Sequence, residues 1–289
     1  MLLIPVWTVY LHATAHIYHH NRISLEFSTG EAINIGVLTL VFIGTYVVNQ
    51  IFDIESDRIN RKLFFLPDKI ISLNAAWVYY AIVSASGIVL AVLSTIQTGL
   101  TASIIVTLGL LYSIPGIRLK DRPVAGLIAN AIAYGFLVPA IHGLSSIALE
   151  AWSAVLPYML AIATGYILTT IPDQEGDHAT EKRTVAVLLG PKKTLQLALL
   201  VAILTIAAAL FAHNLDMIIV SGVTAILIII QMYRGNTRQL LFICKFPILL
   251  LTVAAGLYFP FYLLFLLLTT IGTRAYYKKR FGIVYPKLS

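Results

Sequence analysis

The sequence predicts an all-α, polytopic membrane protein, a helical bundle of nine to ten transmembrane helices. Three observations predict it. Hydrophobic residues make up 59% of the 289 residues and charged residues only 11%. A soluble domain carries roughly 25% charged residues, so water cannot be the solvent for most of this surface. Mean hydropathy is +0.88, and the apolar residues run in stretches of about 20, the length that crosses a bilayer. Finally, Lys and Arg collect in alternate connections between those stretches, as they do in proteins with one basic membrane face.

Taken in order, the apolar stretches fall near 2–20, 31–52, 72–97, 99–115, 123–147, 151–171, 192–213 and 215–233. The last stretch, 239–277, is too long for one helix and is interrupted by Pro247, Gly256 and Pro260. It reads as one bent span or as two, hence nine or ten. No linker or low-complexity run separates a second unit, so 1–289 reads as one domain. The single cysteine, Cys244, excludes an intrachain disulfide and a Cys-based metal site.

The charge pattern orients the chain. Of 20 Lys and Arg residues, only Arg22 lies in an odd-numbered connection; the others lie in even connections or in the C-terminal tail. The positive-inside rule then places those connections and both termini in the cytoplasm. A cytoplasmic tail favours two spans in 239–277. The net charge of +7 is thereby assigned to a membrane face rather than to nucleic acid. The run Tyr276-Tyr277-Lys278-Lys279-Arg280 reads as an anchor against anionic membrane lipids.

Nine of the 13 acidic residues share the basic side. Asn49, Asp53 and Asp57 are spaced i, i+4, i+8, which stacks three oxygen-bearing side chains on one helical face as the second span ends. Two carboxylates and an amide oxygen are hard donors of the kind Mg²⁺ takes. Asp173 and Asp177 repeat the i, i+4 spacing at the end of the sixth span, with Pro172 just before the pair and Gly176 inside it, punctuation that predicts a bent or unwound helix end. Cations follow each set: Arg58, Arg61 and Lys62 after the first, Lys182 and Arg183 after the second. Facing carboxylates with adjacent Arg and Lys make a site for a metal-bridged diphosphate.

These motifs resemble those of the UbiA superfamily of intramembrane prenyltransferases. The resemblance rests on Asn49-xxx-Asp53-xxx-Asp57, on Asp173-xxx-Asp177 with Lys182, Arg183, Thr184 and Gly190 following, and on the loop from Tyr112-Ser113 through Pro115 to Arg118 and Lys120. It departs from the family pattern at Ile4-Pro5, where an arginine usually precedes the proline, at Asn49-Gln50, after Lys62, and at Gly116. The resemblance implies helices around a central cavity, with Mg²⁺ held by Asn49, Asp53, Asp57, Asp173 and Asp177. It implies a polyprenyl diphosphate gripped by Arg61, Lys62, Arg118, Lys120, Lys182 and Arg183. Asp53, Asp57, Asp173, Asp177, Lys120 and Tyr112 are then the expected catalytic groups. The reaction it implies is prenyl transfer to an acceptor, foremost an aromatic quinone precursor and alternatively a carotenoid-like or glyceryl phosphate lipid. The site would open to the cytoplasmic side of the cell membrane. Tyr46, Tyr112, Tyr134 and Tyr166 are rings that could shield an allylic cation.

Two other readings are open. Paired halves with acids at broken helices also describe secondary transporters, although transporter sites lie near the midplane and these acids lie at one face. His12, His16, His19 and His20 recur at helical spacing but show no matching carboxylate in sequence, and read as satisfied or interfacial histidines.

Overall fold

In lipid a spanning segment must satisfy its backbone internally, so apolar stretches of this length become helices. A computed structural model of the chain describes residues 3–20, 25–60, 65–142, 149–235 and 237–285, and every regular element among them is helical. They are α1 (Ile4–His20), α2 (Thr29–Asn60), α3 (Leu73–Ser94), α4 (Ile96–Ser113), α5 (Pro123–Asn130), α6 (Leu149–Thr169), α7 (Gln174–Ala179), α8 (Val185–Phe211), α9 (Leu215–Arg234), α10 (Thr237–Tyr258) and α11 (Pro260–Phe281). Six helices among the described residues are long and apolar enough to cross a membrane: α2, α3, α4, α8, α9 and α10.

α2 packs on α3 and α4, α6 on α8, α8 on α9, and α9 on α10. α1 closes the ring by touching both α10 and α2, and α11 leans on α10. The outward faces stay apolar: Val78, Ile82, Val89 and Leu93 of α3, and Leu264, Leu267, Leu268 and Ile271 of α11, are all exposed. Their spacing is helical and their surroundings would be lipid. Close packing between α2 and α3 depends on Gly87, where a Cβ would come within 2.8 Å of Val41 Cγ1 and 3.2 Å of its backbone nitrogen.

Four features refine the sequence-based spans. α2 is 32 residues long. At a rise of about 1.5 Å per residue it is longer than the roughly 30 Å hydrocarbon layer is thick, so part of the helix extends past that layer. α3 and α4 are separated by Thr95 alone, which caps α4 by accepting from Thr98 N at 3.0 Å. The expected fifth span, 123–147, is not one α-helix: α5 passes into a π-helical stretch, Ala131–Leu137, and then a 3₁₀ turn, Pro139–His142. The long stretch 239–277 divides in two, because Pro260 cannot continue α10 and instead begins α11.

At the end of the bundle where α9 begins, His12 is 1% exposed and fully engaged. Its Nδ1 lies 2.7 Å from the Tyr158 hydroxyl and its Nε2 lies 3.1 Å from Asp216 Oδ2. Tyr258 donates to the same carboxylate at 2.9 Å, and Asn214 donates to Tyr158 at 3.3 Å. The carboxylate partner that the local sequence did not show is therefore Asp216, and His12 is a satisfied buried histidine joining α1, α6, α9 and α10. Asp216→Ala orphans two of these groups. It is expected to cost about 1–3 kcal/mol and to lower the thermal midpoint in detergent, with Asp216→Asn milder because it keeps an acceptor. Equal midpoints in all three proteins would reject this role.

Candidate active site

The site is assembled where α2, the α4–α5 loop and α7 meet. α2 carries Asn49, Asp53 and Asp57 on one face, and the structure bears out the helical spacing: Asp53 is 8% exposed, whereas Glu55 points away, pairing with Arg58 at 2.7 Å. The second set sits on the break expected after the sixth span. α6 ends at Thr169, and Asp173 caps the short α7 without a side-chain bond to it. Asp177 N donates to Asp173 O at 2.9 Å, forming the turn that buries the Asp177 carboxylate. Lys182 then folds back, donating from its backbone to Asp177 O at 2.9 Å.

Local sequence also shapes the α4–α5 loop. Pro115 holds Ile114 in the extended region and ends α4. Gly116 takes φ +90, Arg118 is held left-handed at φ +37, and a 3₁₀ turn, Leu119–Asp121, aims Lys120 inward before Pro123 starts α5. A left-handed non-glycine costs about 1–2 kcal/mol; such strain clusters at binding sites. Arg183 N donates to Asp121 O at 3.1 Å, which ties the second motif to this loop.

Lys120 Nζ lies 2.8 Å from Asp53 Oδ1 and 3.0 Å from Asn49 Oδ1. Lys182 Nζ lies 3.9 Å from both Asp53 Oδ1 and Asp177 Oδ1, bridging the two motifs. Arg118 pairs with Asp121 at 2.9 Å and approaches Asp53 at 4.0 Å. Burial holds the Lys120 ammonium below the usual lysine range, against the opposing pull of Asp53. Asp57 and Asp173 lie on the same two motifs, half-buried, and the Arg183 side chain is exposed. Arg61 and Lys62 lie outside the described residues.

Asn49 and Asp53 thus already surround a positive charge with hard oxygens, which fits a divalent cation. Among the described residues no three His, Cys, Asp or Glu side chains cluster tightly enough to hold a metal by themselves. Mg²⁺ takes one or two carboxylates and fills its shell with water and phosphate oxygens.

The cluster opens into a cavity of about 240 Å³ lined by Phe42, Tyr46, Asn49, Ile105, Tyr112, Asn130 and Tyr134, among others. Asn49 belongs to both, and Ser113 donates to its oxygen at 3.2 Å. Tyr112 accepts from Asn130 at 3.2 Å, and Tyr134 donates to Tyr46 at 2.8 Å. Ser113 stands in the loop motif without an assigned role, and Asn130 stands in no motif. Asn130 had a signal, being an isolated amide within an apolar stretch, where a polar group needs a reason.

A model of the UbiA prenyltransferase family matches residues 2–240. The chain belongs to this family. It is 32% identical over 184 residues to digeranylgeranylglyceryl phosphate synthase of Pyrococcus furiosus, covering 61% of this chain and 65% of that one. It is 30% identical over 168 residues to the probable chloroplastic homogentisate phytyltransferase 2 of Oryza sativa subsp. japonica, covering 54% and 44%. The chain thus spans less than two thirds of the length of these curated relatives. The fold is similar to that of a UbiA homolog from Archaeoglobus fulgidus bound to GPP and Mg²⁺, with TM-score 0.66, 18% identity and coverage of 88% and 97%. It is also similar to a digeranylgeranylglyceryl phosphate synthase structure, with TM-score 0.63, 21% identity and coverage of 88% and 90%. Family membership displaces the transporter reading of the paired acidic motifs.

Proposed function

We propose that this protein transfers a polyprenyl group from a polyprenyl diphosphate to an electron-rich acceptor within the membrane, in a Mg²⁺-dependent reaction. Asn49 carries this reading. Its amide faces the ammonium–carboxylate cluster while its side chain lines the aromatic cavity, so a charged headgroup and an apolar chain would meet there. The relative bound to GPP and Mg²⁺ supports the same reading.

Asn49, Asp53, Asp57, Asp173 and Asp177 would hold Mg²⁺, which neutralises charge on the leaving diphosphate when bound. Lys120, Lys182, Arg118 and Arg183 would grip the diphosphate oxygens, with Arg61 and Lys62 proposed as further clamps. The C1–O bond breaks, and its electron pair leaves with the diphosphate. Tyr112 lines the cavity one side chain away from Ser113 and Asn49, where its ring face can stabilise the allylic cation. An acceptor electron pair then forms the new bond to C1, and the acceptor loses a proton. The apolar lining keeps out the water that would quench the cation.

The leading acceptor is an aromatic quinone precursor. A glyceryl phosphate lipid is the second reading, favoured by the synthase relatives at 27–32% identity. The site opens to the cytoplasmic side of the cell membrane, as the basic connections require. The test supplies radiolabelled prenyl diphosphates, Mg²⁺ and both acceptor classes to membrane vesicles of known sidedness. Label should enter an aromatic product, and in inverted vesicles alone. Product only from the glyceryl phosphate lipid replaces the first acceptor by the second. Transfer to nothing defeats the enzyme reading, and transfer in right-side-out vesicles defeats the orientation.

A further inference from the structure

Along α2 the cavity is lined from Asn49 to Phe42. We infer that Phe42, with Tyr46 and Tyr134 beside it, is a floor that limits the length of donor chain the cavity grips to about two isoprene units; this rests on the prenyl-donor reading above. Phe42 lies two helical turns below Asn49 on α2. Seven residues at about 1.5 Å each make a depth of about 10 Å. An extended isoprenoid, with four bonds of about 1.5 Å per unit, advances about 5 Å per unit. The volume of about 240 Å³ lies below the roughly 300–1,000 Å³ of sites that enclose drug-sized ligands, which suits a short chain.

The floor is rigid for identifiable reasons. Phe42 is 1% exposed and its ring centroid lies 4.8 Å from that of Tyr134. The Tyr134 hydroxyl donates to Tyr46 at 2.8 Å, which bridges α2 to the π-helical stretch. Gly135, next in sequence, fixes Tyr134 from behind: a Cβ there would meet the Met159 backbone nitrogen at 2.7 Å, so α6 presses directly on this backbone. A π-helical turn is a rare conformation that recurs at functional sites, and here it delivers Tyr134 to the floor. A longer donor must therefore turn sideways out of the bundle after its second unit, and its extra carbons gain no contact with the cavity.

The test is binding of non-hydrolysable geranyl and geranylgeranyl thiodiphosphates, with inorganic diphosphate as reference, in Mg²⁺, to the full-length protein and its variants. In the wild type, affinity should rise from diphosphate to the geranyl analogue and then level off within about twofold at geranylgeranyl. Phe42→Ala opens the floor and should favour the longer analogue by about tenfold, the scale of added apolar contacts in a pocket. Phe42→Leu should move the ratio the same way by less, and serves if the alanine variant does not fold. An unchanged ratio in both Phe42 variants overturns the floor while leaving the donor reading intact. Prenyl analogues that bind no tighter than diphosphate overturn both.

Discussion

Asp53→Asn and Asp177→Asn are expected to lower prenyl transfer by about 10²–10³-fold, the scale seen when one group aimed at developing charge is removed from a preorganised site. Each substitution preserves shape and removes the charge that would hold a metal beside the diphosphate. Asparagine is the better probe because Asp53 also balances the buried Lys120 ammonium at 2.8 Å. Asp53→Asn removes the countercharge but keeps an oxygen that can accept from that ammonium, whereas Asp53→Ala removes both, so more of its lost activity would come from a destabilised fold. Glu55 is the internal control. Its side chain is 74% exposed and, among the described residues, pairs with Arg58, so Glu55→Ala should stay within about tenfold of wild type, under 1.4 kcal/mol in the barrier. The measurement is a transfer rate for all variants beside a size-exclusion profile. Glu55→Ala as damaging as Asp53→Asn would refute the assignment of the catalytic face of α2. Full activity in both aspartate variants would place the chemistry elsewhere.

Chelation should abolish donor binding and spare the fold. Without a divalent cation, a diphosphate at this site meets the carboxylates of Asp53 and Asp177 directly, and binding of a prenyl thiodiphosphate should fall by about 100-fold or more, since metal neutralisation contributes several kcal/mol and each 1.4 is tenfold. Mg²⁺ should restore it. The thermal midpoint of the ligand-free protein should not move, because Lys120 and Lys182 already supply positive charge to Asp53 and Asp177. Titration calorimetry and a thermal scan, each with and without chelator, check the two halves. Undiminished affinity in chelator would remove the metal from the site. A midpoint that drops on chelation would show that the metal is part of the folded framework.

Some of this architecture is local, and for that reason legible in the sequence. The membrane class follows from too few charges to wet the surface. The common face of Asn49, Asp53 and Asp57 follows from the period of a helix, which neighbouring residues set among themselves. The breaks before Asp173 and at Pro260 follow from proline's missing donor and fixed φ. Other features depend on partners that the chain brings together over long separations. Lys120 reaches Asn49 across 71 residues, and His12 reaches Asp216 across 204. No helical period encodes either pairing, although the motif resemblance places Asn49 and Lys120 in one site. Each exists because burying a cation or an imidazole in an apolar bundle is costly until a partner satisfies it, and only helix packing decides which partner is in reach. The π-helical stretch is of the same kind. Ala131–Leu137 reads as an ordinary apolar span, and what the local sequence cannot show is the close approach of Gly135 to α6, which fixes Tyr134 in the cavity.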